Sequence, residues 1–144
     1  MPNSFVHVEL NTGDLSAAKK FYRALFDWKL TDAKMGPGMV YTMVEVGKGV
    51  GGGMQKKPMP EAPTQWLSYV EVDDIRKTVA KARKLGANVV VDTMPIPGVG
   101  AMAIFIDPTG ATLGVFQPEM RAPAKKPGAK KKPAARKPAA RKKR

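Results

Sequence analysis

The chain has 144 residues, with 25 Lys+Arg against 12 Asp+Glu, one histidine and no cysteine. Without cysteine there is no disulfide framework, no thiolate zinc site and no cysteine nucleophile. The formal charge of +13 is unevenly placed: residues 1–120 carry a net +1, and residues 121–144 hold 12 basic residues and no acid.

These facts predict one domain over residues 1–120, in modules of about 3–60 and 61–120, followed by a Lys/Arg/Pro/Ala tail over 121–144. A length near ~100 to 150 residues suffices for a single core. No stretch approaches the ~18 apolar residues of a membrane helix, and the N-terminus lacks a charged start followed by an apolar run. The expectation is a cytoplasmic protein without a membrane span.

The first strand is read around FVHVELN, where the period of two puts Phe5, His7, Glu9 and Asn11 on one face and Val6, Val8 and Leu10 on the other. The apolar face should take the following helix. That helix starts near Asp14 or Ser16, residues suited to N-capping, and carries Leu15, Ala18, Phe21, Tyr22 and Leu25 at helical spacing. A short strand over Trp28 to Thr31 and a hairpin from Val40 to Val46 follow, with a turn at Lys48-Gly49. The Gly51 to Gly53 run is no phosphate loop, because no Lys-Ser/Thr follows it and no helix begins there. It marks a strand thinned so that another backbone or a ligand can approach.

After a Pro-rich loop over 56–63 the pattern repeats about 60 residues on. The second strand sets Ser68, Val70 and Val72 against Leu67, Tyr69 and Glu71, and the second helix should bury Ile75, Val79, Ala82 and Leu85 before Gly86 ends it. A strand over Asn88 to Asp92, a Pro/Gly loop over 93–100 and a hairpin around Asp107-Pro108-Thr109-Gly110 complete the copy. Aligning the copies puts His7 opposite Leu67 and Glu9 opposite Tyr69. A duplicated unit of this kind predicts an α+β fold in which two βαβββ modules form a curved mixed sheet around a cavity, and a cavity points to small-molecule binding.

The βαβββ order occurring twice, FY-x-x-LF-x-W after the first acidic turn, V-x-V-D-D before the second helix and D-P-x-G-A between the last strands resemble the vicinal oxygen chelate superfamily of glyoxalases, extradiol dioxygenases and bleomycin- or fosfomycin-resistance proteins. The resemblance covers residues 3–118. It implies metal ligands on the first strand, seven residues before the acidic turn, and on the last strand of each module. His7 matches the first of these positions. Leu67, Gly114 and the Gly51 to Gly53 run bring no donor to the others.

His7 is the only histidine, and a divalent transition metal normally takes three or more protein donors, so no cofactor is predicted and a divalent metal is the alternative. His7 reads either as a ligand or as a hydrogen-bonded wall residue that exchanges a proton near neutral pH. Glu9 is the sharper anomaly, because an inward carboxylate on a half-apolar strand is costly unless it is paired or used. His7, Glu9 and Tyr69 are therefore the candidate catalytic residues. Phe5, Leu67, Trp66 and Phe116 are the candidate ligand-binding lining.

The tail contains only Arg, Lys, Pro, Ala and Gly, with KPAAR twice, and resembles the arms of linker histones. Nothing in it fills a core, so it is expected to be disordered in isolation. Lys125, Lys126, Lys130, Lys131, Lys132, Arg136, Lys137, Arg141, Lys142, Lys143 and Arg144 are the candidate nucleic-acid-binding residues, neutralising phosphates without reading bases. The predicted function is a glyoxalase-like small-molecule-binding domain tethered to a nonspecific nucleic-acid arm, with nucleoid association following from the arm. Two alternatives stand: a metal-dependent lyase or dioxygenase, and a DNA-associated protein whose domain only forms a homodimer.

Overall fold

The computed structural model describes residues 3–119. The elements run β1 (Phe5–Thr12), α1 (Leu15–Leu25), β2 (Lys29–Gly36), β3 (Met39–Glu45), β4 (Gly52–Lys56), β5 (Gln65–Glu71), α2 (Ile75–Lys84), β6 (Asn88–Ile96), β7 (Gly100–Ile106) and β8 (Thr112–Pro118). This is βαβββ twice, as the repeat predicts. The strands form one curved, unclosed sheet in the order β2-β3-β4-β1-β5-β8-β7-β6. Each module supplies four adjacent strands, and the two meet where β1 and β5 run antiparallel. Within the modules, β1 pairs in parallel with β4 and β5 in parallel with β8.

Both helices cover the same face of the sheet. Asp14 accepts from the Ala17 backbone N–H at 2.9 Å and Asp74 from that of Lys77 at 3.1 Å, so each acidic turn caps its helix. Gly86, at φ +94°, ends α2 in the left-handed region that glycine occupies without strain. Under α1 lie Leu10, Val44 and Met54 with Leu15, Ala18, Tyr22 and Trp28, and under α2 lie Val72, Ile75, Val79, Ala103 and Val115. Each module thus builds its own apolar core, and the opposite, concave face is left to polar chemistry.

Three expectations change. β2 and β6 are longer than the sequence suggests, so Thr93 to Ile96 belong to a strand and not to a Pro/Gly loop, and the longer β2 forms a further hairpin with β3 at Pro37-Gly38, while Lys48-Gly49 lies in the turn that joins the antiparallel β3 and β4, as expected. Phe21 and Leu25 are 58% and 55% exposed, because the stripe of α1 that meets the sheet is Leu15, Ala18 and Tyr22 and these two lie to its side. Leu85 follows the last turn of α2 and is exposed as well.

Candidate functional site

Register fixes which side chains share the concave face. Glu9 stands opposite Gly53 on β4 and Leu67 on β5; His7 stands opposite Tyr69, which stands opposite Gly114 on β8. The antiparallel seam therefore crosses the repeat, pairing each residue with its counterpart's neighbour.

The Glu9 carboxylate is the centre of the arrangement. It is buried, and it accepts from the Tyr41 hydroxyl at 2.9 Å on Oε2. Its Oε1 accepts from Gln55 Nε2 at 3.1 Å, Tyr69 Oη at 3.3 Å and Asn11 Nδ2 at 3.4 Å. Gln55 also donates to Asn11 Oδ1 at 3.0 Å. Among the described residues no Lys or Arg pairs with Glu9; its one potentially charged neighbour is His7, with Nε2 4.0 Å from Oε2. Neutral donors, not a cation, satisfy this carboxylate.

His7 lies between two tyrosine rings, 6.3 Å from Tyr41 and 5.9 Å from Tyr69 between centroids, and its Nε2 is 2.6 Å from Tyr41 Oη. Because the single Tyr41 proton is directed at Glu9, Nε2 must carry a proton and donate to Tyr41, which fixes the tautomer. Burial lowers the His7 pKa below its usual 6.5, with Glu9 opposing the shift, so the ring favours its neutral form. The Tyr41 and Tyr69 phenols are both pushed well upward, first by burial and then by the charge and hydrogen bonds of Glu9. They remain donors at any ordinary pH.

The glycines at the expected metal positions have a structural reason. A Cβ on Gly53 would come within 2.0 Å of Tyr41 Oη, and one on Gly114 within 2.4 Å of Tyr69 Cδ1. The two tyrosines fill the space that ligand side chains would need. Among the described residues no group of three or more His, Asp or Glu side chains is placed to hold a metal ion. The residues present do not fit a divalent metal. Gly52 belongs to the same strand but serves the backbone, since a Cβ there would lie 1.9 Å from the Val8 carbonyl oxygen.

Of the residues singled out from sequence, His7, Glu9, Tyr69 and Leu67 come together, and Phe116 shares their face two residues from Gly114. Trp66 does not: it pairs with Leu10 on the helix side, donates from Nε1 to Tyr22 Oη at 3.1 Å and meets Trp28 edge-on. A tryptophan one residue from Leu67 must point the opposite way. A bulge between Phe5 and His7 breaks the alternation assumed for Phe5, which stands across from Val70 and is 59% exposed. Sequence reasoning missed Tyr41 and Gln55. The signal was the thinned strand itself, because a glycine in a sheet interior leaves room for an aromatic on the adjacent strand. The tail residues Lys125 to Arg144 lie outside the described residues.

Two βαβββ modules joined edge to edge, helices on one face and a polar centre on the other, define the glyoxalase-like class of double-module domains. The chain belongs to the glyoxalase/bleomycin resistance protein/dioxygenase superfamily, whose profile matches residues 4–115. It is 34% identical over 110 residues to CFP32 of Mycobacterium tuberculosis, whose name assigns it provisionally to the glyoxylases; the match covers 76% of this chain and 42% of that protein. It is 28% identical over 133 residues to the anthracycline biosynthesis protein DnrV of Streptomyces peucetius, covering 81% of this chain and 47% of that one. The chain thus spans less than half the length of these relatives. Among solved structures, a hypothetical protein from Bacillus halodurans superposes with a TM-score of 0.65 at 14% identity, covering 85% of this chain and 99% of that one. The methylmalonyl-CoA epimerase of Mycobacterium tuberculosis superposes with 0.60 at 14% identity over 80% and 87% of the two chains. At such identity these structures show a common fold.

Proposed function

We propose that the concave face binds a small organic ligand without a resident metal, with Glu9 as the anchoring group. The observation that carries this reading is the uneven filling of its carboxylate. Such a group offers about four acceptor directions. Oε1 takes three donors and Oε2 takes only Tyr41, with His7 Nε2 at 4.0 Å, so Oε2 is the oxygen with acceptor capacity to spare. A ligand N–H or O–H fits that oxygen. Phe116 shares the face, as does Met43, which is 44% exposed opposite Gly53, while Leu67 is buried beneath them, so the body of the ligand is expected to be apolar. The likeness to a protein named for anthracycline biosynthesis makes hydroxylated aromatic compounds the first class to try.

The test is a thermal-shift screen of the full chain with hydroxylated aromatics and acyl thioesters, repeated on Glu9→Gln. A stabilising compound whose effect is lost in the variant supports the site. A shift unchanged in both Glu9→Gln and His7→Ala would place the ligand elsewhere.

We further propose that residues 121–144 bind nucleic acid nonspecifically. The support is 12 basic residues in 24 without an acid and the repeated KPAAR.

A further inference from the structure

α2 carries Arg76, Lys77, Lys81, Arg83 and Lys84 in ten residues, all exposed, and no acid. With Lys19, Lys20 and Arg23 of α1, eight of the 13 basic residues of the near-neutral domain sit on the helix-covered face. Basic residues in the last turn of a helix complement its dipole, which accounts for Lys81, Arg83 and Lys84. The dipole does not account for Arg76 and Lys77, which stand in the first turn, where positive charge is disfavoured; the N-capping Asp74 faces Lys77 at 3.9 Å, and among the described residues no ion pair engages Arg76.

Lys77 and Lys81 repel each other at i,i+4, as do Lys81 and Lys84 at i,i+3. Arg83 is engaged by Asp92 at 3.0 Å, and Lys77 lies 3.9 Å from Asp74. Arg76, Lys81 and Lys84 form no ion pair among the described residues. Among the described residues Arg76 has neither an ion pair nor a favourable place in the helix dipole to explain it.

Its position relative to the chain's end matters. Gln117 Oε1 accepts from the Ile75 N–H at 2.9 Å, and Glu119 N–H donates to the Val99 carbonyl at 2.9 Å. Residue 119 therefore leaves the sheet close to the start of α2, and the 12 basic residues of 121–144 follow directly in sequence.

We infer that the exposed face of α2 is a second phosphate-binding surface, in addition to the tail, that seats the domain against the backbone of duplex nucleic acid. This rests on the nucleic-acid reading of the tail. The partner is a duplex because a rigid helix face about 15 Å long matches a regular, dense row of phosphates, one charge per ~1.7 Å of axis. Contacts of this kind position without specifying sequence.

The experiment uses the full chain, measuring affinity for a mixed-sequence DNA duplex against salt. Replacing Arg76, Lys81 and Lys84 by Gln should lower the log K against log salt slope by about 2 to 3, at ~0.9 per phosphate contact. It should also weaken binding more than tenfold at low salt while the circular dichroism stays unchanged. Replacing Lys34, Lys48 and Lys56, which lie in the first module, should leave the slope within one unit of the parent. Equal slopes for the two triple variants would overturn the inference and leave the tail reading intact. Absence of any salt-dependent duplex binding by the parent would remove both, and binding to phosphatidylserine vesicles in its place would redirect the basic face to membranes.

Discussion

Tyr69 and Gly114 are register partners on β5 and β8, and the ring of the one fills the space that a Cβ on the other would need, 2.4 Å from Tyr69 Cδ1. In the first module Tyr41 of β3, whose register partner is Gln55, likewise fills the space that a Cβ on Gly53 of β4 would need. Each glycine makes room for a phenol, and both phenols end on Glu9.

Gly114→Ala should therefore cost about 1–3 kcal/mol through overpacking against a buried ring. In a Tyr69→Ala background the same change should cost much less, because the clash is gone. Denaturant midpoints of the four proteins in this cycle measure the coupling, and additive effects would show that the ring moves aside freely.

Glu9→Gln should be tolerated by the fold, at under about 1 kcal/mol. The amide oxygen keeps the Tyr69, Gln55 and Asn11 donors, the new N–H₂ donates to Tyr41, and Tyr41 turns its proton toward His7 in the other tautomer. Glu9→Ala strands these donors and should cost about 1–3 kcal/mol. Ligand binding should fall in both variants. A Glu9→Gln protein as unstable as Glu9→Ala would identify a structural carboxylate.

His7 gives the fold an acid-sensitive limb. Its folded pKa lies below the unfolded 6.5, so the unfolded chain takes up the proton first and stability is lost as pH falls from 6.5 through the lowered value. Above 6.5 the ring is neutral in both states and contributes no pH dependence. His7→Gln should flatten the decline of melting temperature between pH 7 and 5 relative to the parent; an unchanged decline would assign it to other groups.

Every described element ends before residue 121, so a chain without residues 121–144 should fold as the parent does. The full chain should bind duplex DNA with a log K against log salt slope of about −5 or steeper, since half of the tail's charges suffice for that. The truncated chain should retain only a weak remainder, and affinity should vary little with base sequence. A truncated chain with the parent's slope would put the entire nucleic-acid surface on the domain.

The fold was legible because strand and helix periods alternate cleanly and recur, and because Asp14 and Asp74 announce two helix starts. His7, Glu9 and Tyr69 were legible from the period of two along β1 and β5. Tyr41 was not, because it reaches Glu9 across the intervening β4, and that adjacency comes from strand order, which no single strand encodes. Trp66 was misread for a related reason: an aromatic beside a site in sequence lies on the other face of the sheet. Phe5 was misplaced by a bulge, which adds one residue and leaves no mark in the pattern.

The central claim, a ligand site built on a tyrosine-clamped carboxylate without a resident metal, is tested most directly by elemental analysis of the intact purified protein. The account predicts zinc, nickel, iron and manganese all far below one equivalent, with ligand binding unaffected by a chelator. Near-unit occupancy by one of these metals, lost in His7→Ala, would contradict it.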